Sequence, residues 1–169
     1  LEVLPALLRA LDIARPVLVG HSDGASIALI HAGAFNGSPA DAGATAGGDP
    51  IDGRPAGTAA GVAVLAPHLF VEPVTVAEVA KVREAFDAAG LAARLARYHG
   101  DPAATFHGWA DAWLSPAFRA WNIEDRVAAI RCPLLAIQGR QDQYGTDEQI
   151  HRLARLQPLG RGNALADGL

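Results

Sequence analysis

Val17-Leu18-Val19-Gly20-His21-Ser22-Asp23-Gly24-Ala25-Ser26-Ile27-Ala28-Leu29 is an apolar, β-branched run that ends in G-x-S-x-G and passes at once into a helical pattern. That is the sequence form of a buried strand, a sharp turn carrying a serine, and a helix. It predicts a strand over Pro16–Val19 and a helix over Asp23–Ala34. Serine is a poor nucleophile until an adjacent base takes its proton. A strained turn that lifts Oγ into a cleft is one way to present it, so the motif nominates Ser22 for covalent catalysis. Gly20 and Gly24 carry no Cβ, which lets strand and helix crowd together. The Asp23 N–H, at the positive end of the helix dipole, is the natural donor to a developing oxyanion.

Outward from the elbow the chain alternates strands and helices. Leu4, Leu7, Leu8 and Leu11 recur at helical spacing, and that helix ends near Ala14-Arg15-Pro16. Phe35–Gly61 is rich in Gly, Ala, Asp and Pro and nearly free of large apolar residues, the composition of a flexible loop. Val62–Ala66 is a second buried strand, stopped by Pro67. Helices follow over Thr75–Ala89, with Val76, Val79, Val82 and Phe86 on one face, and over Leu91–Tyr98. Another spans Pro102–Leu114, with Asp101 as cap and proline in the first turn. Leu134–Gly139 is a third strand, and Thr146–Leu156 a last helix.

Strands separated by helices predict an α/β fold with a short parallel sheet. The helical stretch between the second and third strands is too long for one crossover and reads as an inserted cap. The expected divisions are a core with the elbow over 1–66, interrupted by the 35–61 loop, then the cap over 67–130. A core strand and helix occupy 131–157, and 158–169 is an irregular tail.

Composition narrows the function. The 169 residues suit one ordinary domain. Half are hydrophobic, and the net charge of −4 comes without a basic cluster, which argues against nucleic acid as a partner. No apolar run is long enough to span a bilayer. Leu1–Arg15 reads as an amphipathic helix rather than a leader, so a cytoplasmic chain is expected. The single cysteine, Cys132, precludes an internal disulfide and precedes Pro133 and an apolar strand, as a packed core thiol would. No histidine or carboxylate pairs show metal-ligand spacing, and no G-x-x-x-x-G-K-[ST] cradle is present, so neither metal nor cofactor is expected.

Three stretches, VLVGHSDGASIALI around Ser22, VAVLAPHLFVEP at 62–73 and CPLLAIQGRQDQYGT at 132–146, resemble the α/β-hydrolase fold superfamily. The resemblance is to its cap-bearing carboxylesterase and C–C hydrolase branch, often labelled pimeloyl-ACP methyl ester esterase-like. It implies a partial α/β-hydrolase fold, covering the second half of the family's architecture. In the family a triad acid follows the next-to-last strand in a G-x-x-D pattern. Gly139-Arg140-Gln141-Asp142 matches, so the resemblance assigns that role to Asp142, which would orient a histidine and stabilise its imidazolium. Glu72, after the second strand, is a second and lower-ranked acid.

The same resemblance implies a small-molecule acyl substrate. Ser22 would attack the carbonyl of an ester, thioester or vinylogous ketone, and water would release the acyl group. The family histidine belongs after one further strand, yet no histidine follows His151. The H-G oxyanion loop belongs before residue 1. His21, His31, His68, His99, His107 and His151 do not match the family position. An impaired or inactive hydrolase is therefore expected. The alternatives are a non-catalytic gene fragment or binding remnant of the fold, and a cofactor-free haloperoxidase-like enzyme. Trp109 and Trp113, one turn apart, either line an acyl pocket or pack the cap. The family topology leaves the Val17–Val19 strand at an edge, which predicts self-association through exposed sheet edges.

Overall fold

The computed structural model describes residues 2–35, 57–86, 90–157 and the backbone of 164–167. Most of the 35–61 segment expected to be a flexible loop, residues 36–56, lies outside the described residues, as do 158–163.

Strands β1 (Val17–His21), β2 (Gly61–Leu65), β3 (Leu134–Gln138) and β4 (Ala164–Asp167) form one sheet in the order β1-β2-β3-β4, every neighbouring pair parallel. Their register is level. His21 pairs with Leu65, and Leu65 with Ile137, so three strands end along one line. Because side chains alternate along a strand, Leu18, Val62 and Leu134 share one face with Gly20, Val64 and Ala136. This face is the core: Val62, Val64, Leu134 and Ala136 are all buried.

Helix α2 (Asp23–Ala34) packs on that face, against β1 and β2. Its apolar residues are distributed around the axis rather than along one stripe, as suits a helix covered on most sides. Ala25, Ala28, Leu29, His31 and Ala32 are buried. Helix α1 (Val3–Ala10) is shorter than its leucine spacing suggests. The chain turns at Asp12, which takes φ 55°, and of α1 only Leu8 is buried.

Two elements were not foreseen. Helix α6 (Glu124–Ala129) falls inside the 67–130 stretch expected to be cap, yet it belongs to the first of two compact units, packed against α2. Ile123, Val127 and Ile130, all buried, give it an apolar face. The Asn122 side-chain oxygen accepts the Glu124 N–H at 2.7 Å. Strand β4 corrects the expectation of an irregular tail over 158–169. The short run Ala164-Leu165-Ala166 is too brief to announce a strand by itself, and it pairs along the otherwise open edge of β3.

Helix α7 (Glu148–Leu156) closes this unit, packing against α6 and β3. Gln149 is fully buried, and its Oε1 accepts the Leu69 N–H at 2.7 Å. Gln157 donates to the Ile130 carbonyl at 3.3 Å, satisfying a group near the end of α6. On the outer side Arg152 bridges Glu124 at 2.7 Å and Glu148 at 3.2 Å.

The second unit comprises Phe70–Trp121 and Gln143–Thr146. It contains α3 (Pro73–Glu84), α4 (Leu91–Leu95), α5 (Pro102–Leu114) and a 3-10 turn over Pro116–Ala120. Asp101 caps α5 as its position suggests, accepting the Ala104 N–H at 2.9 Å. Val79, Phe86, Phe106, Ala110 and Trp113 form its core, with Phe86 and Phe106 stacked at 4.2 Å between ring centroids. Trp113 is thus a packing residue of this unit.

Candidate active site

Ser22 sits where β1 turns into α2, with φ 53° and ψ −122°. A non-glycine residue at positive φ is strained by about 1–3 kcal/mol and persists only where its surroundings enforce it. The enforcement is visible. The Ser22 N–H donates to the Leu65 carbonyl at 3.0 Å, tying the turn to β2. Its own carbonyl accepts from Ala25 at 2.9 Å and Ser26 at 3.2 Å, starting the helix. Serine at such a position ordinarily caps the helix with its side chain. Here Oγ makes no capping bond, so the strain is not repaid by a cap.

Gly20 makes the turn possible. A Cβ on it would lie 2.3 Å from the Gly24 carbonyl oxygen and 2.6 Å from the Ala25 nitrogen. Gly24 differs from the sequence expectation: a Cβ there would meet nothing within 4 Å among the described residues. The close approach rests on the first glycine of the motif alone. Asp23 is the first helical residue of α2, so its N–H lies at the positive end of that helix dipole.

Asp142 lies beyond the C-terminal end of β3, and Ser22 beyond that of β1. These strands run parallel with level ends and are separated only by β2. The two side chains therefore belong to the same edge of one sheet, on strands about 10 Å apart. The Asp142 N–H donates to the Gly139 carbonyl at 3.1 Å, closing a turn. Its Oδ2 accepts from Gln138 Nε2 at 3.0 Å. Gln138 is buried at the end of β3, a support that motif reading did not single out.

Glu72, the lower-ranked acid, is engaged within the second unit. Its carboxylate accepts the Thr146 N–H at 3.0 Å and the Thr146 hydroxyl at 2.6 Å. Thr75 donates its hydroxyl to the Tyr144 carbonyl. Glu72 and Thr75 thus fasten the segment Gln143–Thr146 to the start of α3. That accounts for a buried carboxylate without any catalytic task.

The histidines have separate environments. His21 is exposed on β1. His68 is buried just after β2, and its carbonyl accepts the Ser26 hydroxyl at 2.8 Å. His107 packs against Phe86, and His151 pairs with Asp147 at 3.5 Å. His31 is buried on α2, with Nε2 2.8 Å from the Gly57 carbonyl and its ring 4.7 Å from that of Phe35. Burial pushes its pKa below the ordinary 6.5, partly opposed by the Gly57 hydrogen bond.

His31 thereby makes stability depend on pH. The unfolded chain takes up a proton near 6.5 while the folded chain resists it, so the His31 contribution is complete above 6.5 and lost as pH falls through the lowered folded value. Urea midpoints measured from about pH 7.5 down to pH 5 should fall more steeply for the wild type than for His31→Gln. Parallel curves would remove His31 as the cause.

Among the described residues no group of three or more His, Cys, Asp or Glu is arranged to hold a metal ion. Nor is any helix among them long and apolar enough to cross a membrane.

No protein-family model matches the sequence, and no curated protein sequence matches it. Solved structures do. A thermophilic esterase from Thermogutta terrifontis superposes with a TM-score of 0.57 at 20% identity, covering 98% of this chain and 60% of its own. The enol-lactonase from Burkholderia xenovorans LB400 gives 0.53 at 20% identity, covering 96% and 60%. An α/β-fold hydrolase from Bacillus anthracis str. Sterne gives 0.60 at 12% identity, covering 97% and 63%. The chain therefore has the α/β-hydrolase fold and spans about three fifths of the length of these structures.

Proposed function

We propose that this chain carries the nucleophile half of a serine hydrolase acting on a carboxylic ester or related acyl substrate of small-molecule size. The observation that carries this reading is Ser22. A serine at positive φ, on a strand-to-helix turn, spends its hydroxyl on no cap. Similar structures described as an esterase and an enol-lactonase lend support to a carboxylic ester as the substrate class.

In this reading Ser22 Oγ attacks the carbonyl carbon, and the oxyanion is met by the Asp23 N–H. An acyl-enzyme forms as the alcohol leaves, and water then releases the acid. Asp142 is the triad acid, whose partner would be an imidazole lying between it and Ser22. No histidine of this sequence stands at the sequence position that the family resemblance gives its base, and in this reading the chain by itself is an impaired catalyst. The helical second unit is a cap domain, and the location is cytoplasmic. The chemistry calls for no cofactor.

A fluorophosphonate probe tests the proposal. Ser22 Oγ attacks phosphorus, fluoride leaves, and the serine proton passes to a base. With the base wanting, labelling should be slow and should accelerate at least about tenfold with added imidazole, because a positioned base is worth more than that in a complete site. The adduct should map to Ser22 and vanish in Ser22→Ala. Failure of imidazole to produce a Ser22 adduct, or equal labelling of other serines, would overturn the assignment.

A further inference from the structure

The core row of the sheet ends in residues that break local rules. Leu18 and Gly20, Val62 and Val64, and Leu134 and Ala136 lead on to Ser22, Ala66 and Gln138. The ladder carries that far: the Ser22 N–H donates to the Leu65 carbonyl at 3.0 Å, and the Ala66 N–H to the Ile137 carbonyl at 2.9 Å. Ser22 takes φ 53° and Ala66 φ 47°. Gln138 is a polar side chain on an apolar row, and only 6% exposed. Strained backbone and buried amides are costly, and functional sites are where folds concentrate them.

An apolar side chain would pack at position 138 with no amide to satisfy. The Gln138 amide instead donates from Nε2 to Asp142 Oδ2 at 3.0 Å. The Asp142 N–H closes the intervening turn on the Gly139 carbonyl at 3.1 Å. Asp142 is thus held twice, by the backbone of its own turn and by a side chain rooted in β3. A hydrogen bond to an ionised group is about twice as strong as one between neutral groups. It also fixes the plane of the carboxylate, and with it the direction from which an imidazole N–H is accepted. On the reading of Ser22 as nucleophile and Asp142 as acid, we propose that Gln138 is a positioning residue. It acts through Asp142, aiming that carboxylate at the imidazole that serves Ser22.

Imidazole-assisted fluorophosphonate labelling of Ser22 reads this out, with circular dichroism confirming that each variant is folded. Oγ bonds to phosphorus, fluoride leaves, and the added imidazole takes the serine proton. Asp142→Asn should slow this reaction at least about tenfold. Gln138→Met nearly keeps the side-chain volume and removes the donor. It should slow labelling about tenfold, since a misplacement of about 1 Å can cost about a hundredfold. Gln138→Glu gives a readout that packing alone would not move. Two carboxylates about 3 Å apart do not both ionise readily, so Glu and Asp142 would come to share a proton as pH falls. The shared proton restores a donor at position 138. The Gln138→Glu rate is taken as a ratio to wild type at each pH, so that the titration of imidazole cancels. That ratio should be about tenfold low near pH 8 and recover at least about threefold by about pH 5.5, while the Gln138→Met ratio stays flat. Folded variants that label at the wild-type rate, or a Gln138→Glu deficit that does not change with pH, would overturn the assignment. Should Gln138→Glu not fold, wild-type labelling of Gln138→Met would still overturn it. An Asp142→Asn variant that labels like the wild type is a different failure: Asp142 is then not the acid, and the role of Gln138 falls with it.

Discussion

Replacing Gly33 with alanine is expected to be among the most damaging single changes in this chain. A Cβ on Gly33 would lie 2.0 Å from the Arg126 carbonyl oxygen and 2.7 Å from its carbon. Both are backbone atoms of α6, so no rotamer change can relieve the clash. The helix would have to retreat from α2 by a sizeable fraction of a side-chain diameter. Ala25, Ala28 and Ala32 on α2 and Val127 on α6 are buried around this region, and a retreat would open voids among them. Overpacking ordinarily costs about 1–3 kcal/mol, and a clash against backbone belongs at or beyond the top of that range. For a domain of ordinary stability, about 5–15 kcal/mol, this is a large fraction. A urea titration should show the midpoint falling sharply or the transition losing cooperativity. An unchanged midpoint would mean that α2 and α6 do not approach as described.

Gly20→Ala should cost a comparable amount by a different route. Its Cβ would strike the Gly24 carbonyl and the Ala25 nitrogen, the first turn of α2. Strand and helix would be forced apart at the residue that holds Ser22 at positive φ. The expected loss is about 3 kcal/mol or more, again read as a urea midpoint. Gly24→Ala is the internal control. Its Cβ meets open space among the described residues, and alanine favours a helix over glycine by about 1 kcal/mol, so stability should hold or rise. If Gly20→Ala and Gly24→Ala behave alike, the asymmetry between the two glycines of the elbow is wrong.

The elbow was legible because its signals agree. A β-branched run, a G-x-S-x-G turn and an alanine-rich helix name the same boundary, and α2 spans Asp23–Ala34 as its pattern says. The parallel sheet and the cap of α5 were legible for similar local reasons. What was not legible depends on distant partners. Strand β4 exists through pairing with β3, and four residues carry too little pattern to show it. Helix α6 is only six residues long, and its apolar face finds its purpose against α2. The fastening of Thr146 to Glu72 joins residues 74 apart, and nothing near either one announces it. Asp142 is an intermediate case. Its candidacy came from a resemblance, while the level strand ends that put it on the same sheet edge as Ser22 emerge only from the register.

One measurement reaches the centre of this account, namely the crystallographic conformation of residue 22 after reaction with a fluorophosphonate in the presence of imidazole. The expected result is a left-handed backbone near φ 53° with the phosphorus bonded to Ser22 Oγ at the C-terminal edge of the sheet. Ser22 at an ordinary negative φ, its hydroxyl turned back to cap α2 and unmodified, would contradict the account.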